Sequence, residues 1–590
     1  MTADAEKQIV RAIEAAEEVQ APQLTGMPDE RPRLLIEDCS PDRTVSQLRN
    51  ILAAGGDLYD RGGPVRLAFD QIQRGTVAQG MTPDALVLAA HATCRPYVIK
   101  TKNDGSVYEA DARLPRAFAV MYRDWRGEWG LPPLNGIATA PLLHEDGAIK
   151  SAEGYDIASG MWCESVPDLT GLVSERPTKT QALLALRLIR KTFKTFCFAD
   201  AELIDDAAAG VAVVDLSKPP GRDESSFLVA LLTAVCRPSL QLAPGVLLRA
   251  APMSGAGAGK GLLARCICII AFGREPHAVT AGATAEELEK RIAAELIEGS
   301  PALFLDNLNY TAFKSNLLAS AITERPARVR LLGRSQMVPL NATAFVILTG
   351  NGLTVSEDLA RRFIAVDFDP RTEDPETRPF KVDIRSEVAT RRKELLAAAL
   401  TIWRWGRLAT GIQPGRPLGS FVQWSRWVRD PLLALGCYDP VERISEAKER
   451  DGRRQAVADM FALWWERHGD RPVTVRHLHD EVRQAADPQD RGRQYLASSL
   501  EKLAGTRIAG FVLMRQAAAG KWGVATYALR KTDETKDHRG HRGDRGTAAP
   551  YAPDAPYASG DHRFNGDATQ ASPSAMPPGA PGAPGWRKRL

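Results

Sequence analysis

The chain has 590 residues, 44% of them apolar and 25% charged, with a formal net charge of +4. That length can bury several cores and suggests roughly three to four domains, which excludes a small stapled scaffold. The near-neutral balance means that any nucleic-acid binding must come from local basic surfaces and not from the overall field.

The eight cysteines (Cys39, Cys94, Cys163, Cys197, Cys236, Cys266, Cys268, Cys437) include no CxxC pair and have no His at metal spacing. Neither a disulfide framework nor a zinc site is expected, and a reducing cytoplasm is the expected compartment. "MTADAEKQIVRAIEAAEEV" is charged throughout, unlike a signal peptide, and no segment reaches the roughly 18 apolar residues of a membrane span. A soluble protein with no membrane partner is therefore expected.

Residues 4–20 carry an amphipathic helical pattern with Ile9, Val10, Ile13 and Ala16 on one side, and "QAPQLTGMPDERP" reads as a linker. From "RLLIED" to about residue 205 the apolar runs are short and broken by turns. Asn-Asp-Gly at 103–105 and Glu-Asp-Gly at 145–147 are hairpin signals in this α+β region. Asp104, Asp146 and Asp156 sit in turn contexts, and neither a carboxylate cluster nor a zinc motif suggests a primase centre.

"KTQALLALRLIRKTFKTF" then forms a basic helix. From residue 211 strands alternate with helices: "VAVVDLS", "SSFLVALLTAVCR", "GVLLRAAP", "GLLARCICIIAF", "AEELEKRIAAELIEG", "PALFLDN" and "AFVILTGN". This alternation implies a parallel sheet covered on both faces. Trp-rich helices follow from 386 to about 435. Residues 453–530 then read as three helices and a hairpin, "RIAGFVLMRQAAAGKWGVATYALRK", the order of a winged helix. Beyond Lys531 the chain is rich in Pro, Gly and Ala without apolar periodicity, and disorder is expected. The expected divisions are 1–30, helix and linker; 31–205, α+β region; 206–385, α/β core; 386–450, helical lid; 451–531, winged helix; and 532–590, disordered tail.

Chemistry concentrates in "VLLRAAPMSGAGAGKGLLARCICIIAF". A phosphate loop works because glycines turn successive backbone N–H groups inward at a helix N-terminus while a lysine reaches the outer phosphates. The stretch Ser254, Gly255, Ala256, Gly257, Ala258, Gly259, Lys260, Gly261 supplies that pattern with two departures. Ser254 replaces the first Gly, and Gly261 replaces the Ser or Thr whose hydroxyl would bind magnesium. Further along, Asp306 ends an apolar strand where a metal-holding aspartate is needed, with Asn307 in place of a second acid. Asn351 ends another strand, and Arg361 and Arg362 precede a third. Phosphate lysine, metal aspartate, water-orienting asparagine and paired arginines fit phosphoryl transfer. Each has a bland alternative: strand cap, turn residue or solvated face.

"SGAGAGKGLLA", "FLDNLN", "RVRLLGRSQMVPLNATAFVILTGN" and "DLARRFIAVDFDP" together resemble the AAA+ ATPase domain of phage and mobile-element primase–helicase-type replication proteins. That domain is distantly similar to superfamily 3 and minichromosome-maintenance helicases. Flanking segments extend the resemblance to roughly residues 40–440. It implies a P-loop AAA+ fold, ATP and Mg²⁺ as cofactors, and a homo-oligomeric ring, expected to be a hexamer, with ATP between subunits. It also implies Lys260 as phosphate ligand, Asp306 as the magnesium residue, Asn351 as sensor 1, and Arg361 or Arg362 as the finger acting on the neighbour's nucleotide.

"RVRLLGRSQMVPL" reads as two short strands. In related ring helicases a hairpin here grips single-stranded DNA, which makes Arg334 the candidate contact, with Arg328 and Arg330 behind it. In the C-terminal module Arg491, Arg493 and Gln494 begin the candidate recognition helix, and Lys521 and Trp522 sit at the wing tip for duplex DNA. His477 and His479 are expected to be surface residues. The expected function is an ATP-dependent DNA helicase or translocase serving replication of a phage or mobile element, with replication proteins as partners. A nucleotide-bound origin-binding or regulatory scaffold and, more weakly, a small-molecule phosphotransferase remain open.

Overall fold

The computed structural model describes residues 30–71, 74–252, 256–280, 282, 284–309, 312–330, 337–442, 452–516 and 524–532. The amphipathic 4–20 segment and the tail beyond 532 lie outside the described residues.

Five parallel strands form the central sheet, in the spatial order Ala278–Val279, Ala302–Leu305, Phe345–Asn351, Gly245–Ala250 and Phe363–Phe368. The strands are continuous apolar runs because helices cover both faces. All six residues of Gly245–Ala250 and all four of Ala302–Leu305 are buried. The helix Arg222–Cys236 is buried from Asp223 to its end, which explains why its sequence is apolar all round instead of striped. Its N-terminus is held by Asp200, whose carboxylate accepts from Arg222 N at 2.6 Å and Asp223 N at 3.0 Å.

One expected strand belongs elsewhere. "VAVVDLS" does not join the parallel sheet; Val211–Val214 pairs antiparallel with Leu203–Asp206. The Asp206 carboxylate accepts from the N–H groups of Ala208 and Ala209 at 2.9 and 3.2 Å, so a tight turn favours local pairing over a crossover. The sheet edge is taken instead by Ala278–Val279, two residues too short to register as a strand in the sequence.

One apolar cluster runs from Ala140 to Cys437 and so passes through residues 205/206 and 385/386 without a break. The basic helix Lys179–Phe193 packs on Arg392–Leu408. Its Arg190 forms a buried two-point pair with Glu224, Nε–Oε1 2.7 Å and Nη2–Oε2 3.0 Å. The tryptophans of the later helices face inward: Trp424 Nε1 donates to Thr233 Oγ1 at 2.9 Å, and Trp427 Nε1 to Glu145 Oε2 at 2.8 Å.

A second cluster, Leu34 to Trp129, lies under a three-stranded sheet of Arg33–Leu35, Arg95–Thr101 and Val107–Asp111. Asn-Asp-Gly makes the turn between the last two strands, where Asp104 accepts from Ser106 N at 2.9 Å. Glu-Asp-Gly does the same between Leu142–Leu143 and Ile149–Lys150, with Asp146 accepting from Ala148 N at 2.9 Å. Asp156 also fixes a turn, accepting from Ser159 N at 2.9 Å. Buried Arg61 ties the N-terminal region to the core by donating to the carbonyls of Ile297 (2.7 Å), Leu296 (2.7 Å) and Leu134 (2.9 Å). The first two close the C-terminal turn of helix Ala285–Glu298, whose carbonyls lack helical partners.

The third cluster includes Met460, Phe461, Trp464, Val482, Leu496, Leu500, Leu513 and Leu529. It is enclosed by helices Gly452–His468, Asp480–Ala486 and Arg493–Leu503 and by an antiparallel sheet in the order 473–474, 526–531, 511–516, 507–508.

Candidate nucleotide site

The expected phosphate loop leaves the C-terminal end of Gly245–Ala250, an interior strand, and open α/β sheets place their ligands at such carboxyl ends. Ser254 and Gly255 lie outside the described residues. Gly257 and Gly259 have φ of 73° and 91°, the left-handed region that glycine enters without penalty. At Gly257 freedom and space coincide, since a Cβ there would sit 3.0 Å from Glu376 N and 3.1 Å from Glu376 Oε2. The loop is fixed from beneath by the Cys197 thiol, which donates to Ala258 O at 3.3 Å. Helix Lys260–Phe272 begins at Gly259 with no side-chain cap, the kind of helix end whose backbone N–H groups suit an anion.

Lys260 Nζ donates to Asn351 Oδ1 at 2.6 Å. Ala250 and Asn351 are paired in the sheet register, which brings the strand ends and hence these two side chains together. Burial lowers the Lys260 pKa below the usual lysine value, partly countered by Cys197 and Asp306 nearby. Asp306 follows Leu305 on the next strand, and its carboxylate accepts a hydrogen bond from the Thr349 hydroxyl. Thr349 Oγ1 also accepts from Asn307 N at 3.2 Å. Asn307 has φ 63°, a conformation that Asn tolerates better than most non-glycine residues, a local reason for its presence there. Its amide oxygen accepts from Asn309, and Asn309 Oδ1 accepts from Asn351 N at 2.7 Å. Lys260, Asp306 and Asn351 thus share one polar network.

Arg361 and Arg362 lie outside it. Both pair with Asp358, at 2.6 and 2.5 Å, and they line a separate cavity of about 510 Å³ with Thr323, Arg416 and Ser420. That cavity shares no lining residue with the one beside the loop. The loop-side cavity, about 630 Å³, is bounded by Phe196, Ala258, Leu262, Arg378, Lys381 and Arg385 among others. Gly257, Ala258 and Gly259 of the loop line it as expected, but sequence reading missed the walls that come from 191–196, 208–209 and 378–391, which carry no motif. Thr349 and Asn309 were also missed. The one signal was the second Asn of "FLDNLN".

A magnesium ion would find the Asp306 carboxylate and no hydroxyl at Gly261, where a Cβ would lie 3.8 and 3.9 Å from the Asp306 oxygens. Among the described residues no group of three or more His, Cys, Asp or Glu could cage a metal. The donors fit an ion held mostly by phosphate and water, the usual manner for magnesium with a nucleotide.

Of the expected DNA contacts, Arg328 and Arg330 are exposed on one face of strand Ala327–Arg330, which pairs antiparallel with Met337–Leu340. Arg334 lies outside the described residues, as do Lys521 and Trp522. Arg491, Arg493 and Gln494 are exposed at the start of helix Arg493–Leu503, with Arg491 stacked 4.2 Å above Tyr495. His477 and His479 are exposed. No helix among the described residues is long and apolar enough to cross a membrane.

No family model matches the chain, and no curated protein matches it. Among solved structures, it is similar to the apo A form of the NrS-1 C-terminal region, at 11% identity and TM-score 0.32, over 82% of this chain and 99% of that one. It is similar to SCCmec type IV Cch, described as an active helicase, at 10% identity and TM-score 0.28, over 82% and 98%. JCV helicase, bound to a thiazolopyridine-phenoxyphenyl acetamide, matches at 14% identity and TM-score 0.16, over 46% and 68%. Likeness at that level carries no functional argument, which rests on the site itself.

Proposed function

We propose that this chain is an ATP-driven DNA helicase or translocase of the AAA+ type, working as a homo-oligomeric ring in replication of a phage or mobile element. The observation that carries the reading is the convergence of Lys260, Asp306 and Asn351 beside an uncapped helix N-terminus and a glycine loop.

In this reading the loop amides and Lys260 bind the outer phosphates, and the neighbouring 630 Å³ cavity receives the nucleoside. Bound magnesium would neutralise charge on the phosphates, with Asp306 as its protein ligand. Asn351, held through its N–H by Asn309, orients the attacking water with its side chain, which exchanges Lys260 for that water and phosphate. Arg361 and Arg362, lining a different cavity of the same chain, serve a neighbouring copy's nucleotide, which is the reason the site needs a ring. A hexamer is the ring size we propose.

The hairpin bearing Arg328, Arg330 and Arg334 would track single-stranded DNA through its phosphates. Residues 451–531 would be a winged helix whose Arg491, Arg493 and Gln494 meet duplex DNA, with Lys521 and Trp522 at the wing.

A second reading, a nucleotide-bound origin or regulatory scaffold, draws on Asn307, whose amide is engaged with Asn309 and offers no acid to activate water. Strand displacement by the full chain separates the two. ATP-dependent unwinding supports the motor, and specific duplex binding without turnover supports the scaffold.

A further inference from the structure

Gly261 leaves room at the start of helix Lys260–Phe272, and the same helix fills that room one turn later. Residues four apart share a helix face, and long side chains lean toward the N-terminus. Arg265 obeys both rules: a Cβ at Gly261 would lie 2.8 Å from its Nη1. Its guanidinium reaches Asp306 Oδ2 at 3.7 Å and Glu275 Oε2 at 3.4 Å, stacks 5.3 Å from the Phe304 ring centre, and borders the cavity beside the loop. A positive charge therefore stands beside both the start of the loop helix and the carboxylate expected to hold magnesium. It stands where the missing hydroxyl would be.

We infer that Arg265 is a resident cation of the phosphate site, donating to the outer phosphates of a bound nucleoside triphosphate. It thereby makes binding less dependent on a divalent metal. This rests on the nucleotide reading above. The planar guanidinium fork matches phosphate oxygens in geometry. Two acids share it, so Arg265 can leave Asp306 to a metal and keep Glu275, which is itself held by Arg385 at 3.6 Å. The absence of a side chain at Gly261 becomes a requirement of the arginine. A Ser there would push the guanidinium off Asp306.

The test is equilibrium binding of a non-hydrolysable ATP analogue to the full chain, in excess magnesium and in EDTA. One charge-assisted contact corresponds to roughly a tenfold to hundredfold change in affinity. Arg265→Gln should lose about that factor in EDTA and much less in magnesium, whereas Arg265→Lys should retain part of the metal-free binding. Gly261→Ala, which adds the Cβ that crowds the guanidinium but no hydroxyl that could bind magnesium, should also raise the dependence on magnesium. It carries the test if Arg265→Gln fails to fold. Equal losses in both buffers, or unchanged metal dependence in these variants, overturn the inference. A wild-type chain that binds the analogue in magnesium but loses it wholly in EDTA overturns it too, while leaving the nucleotide site standing. No binding in either buffer removes the nucleotide reading itself.

Discussion

Replacing Thr349 by Val separates positioning of Asp306 from binding of nucleotide. Thr349 is 1% exposed, and its hydroxyl donates to the Asp306 carboxylate while accepting from Asn307 N. Val keeps the shape and removes both bonds. Asn307 is exposed, so its N–H can turn to water. The main loss is one hydrogen bond to a carboxylate, which for a partly solvated group is about 1–2 kcal/mol. On a core of this size that is roughly a 2–5 °C fall in melting temperature. Hydrolysis should fall further, by about 10–100-fold, the usual effect of removing a group that orients a metal-holding carboxylate. Affinity for an ATP analogue should hardly change, since Lys260 and the loop are untouched, and Thr349→Ser should behave as wild type. Thermal melts, analogue binding and steady-state hydrolysis measure all three. Hydrolysis at the wild-type rate in Thr349→Val, or loss of binding as complete as loss of hydrolysis, would refute the reasoning.

Burial lowers the Lys260 pKa, so the ammonium is lost at lower pH than in an ordinary lysine near about 10.4. Analogue affinity should therefore weaken on the alkaline side before that value, and Lys260→Arg should move the fall to higher pH; a binding titration with identical profiles would contradict this. Arg61→Ala leaves the carbonyls of Ile297, Leu296 and Leu134 without their donor, an expected loss of about 2–4 kcal/mol, seen as earlier melting and faster proteolysis between the N-terminal region and the core. Arg493→Ala should weaken duplex binding about equally for all sequences and reduce the salt slope by about 1, if its contact is to phosphate. A sequence-selective loss would instead assign it to a base.

Much of the sheet could be read from the sequence because its buried strands are long apolar runs ending in polar residues, as in "PALFLDN" and "AFVILTGN". A parallel sheet brings the C-terminal ends of its strands to one side, so Lys260, Asp306 and Asn351 could be grouped before any geometry was known. Long-range pairing was not legible. Val211–Val214 has the composition of a core strand, but a four-residue connection to Asp206 closes it into a hairpin. Nothing in a two-residue run such as Ala278–Val279 marks a sheet edge. The helix Lys179–Phe193 reads as an isolated basic helix until Arg190 is seen paired with Glu224. Arg265 escaped for a related reason. Its role depends on the empty space at Gly261 and on an acid 41 residues later, and neither is a motif.

In the proposed motor, nucleotide bound at Lys260 drives work on DNA. Steady-state ATP hydrolysis by the full chain, with and without single-stranded DNA and beside Lys260→Ala, tests it most directly. Hydrolysis should be accelerated by DNA and abolished by Lys260→Ala in both conditions. Purified protein that turns over no ATP with or without DNA, or a Lys260→Ala chain as active as wild type, would contradict it.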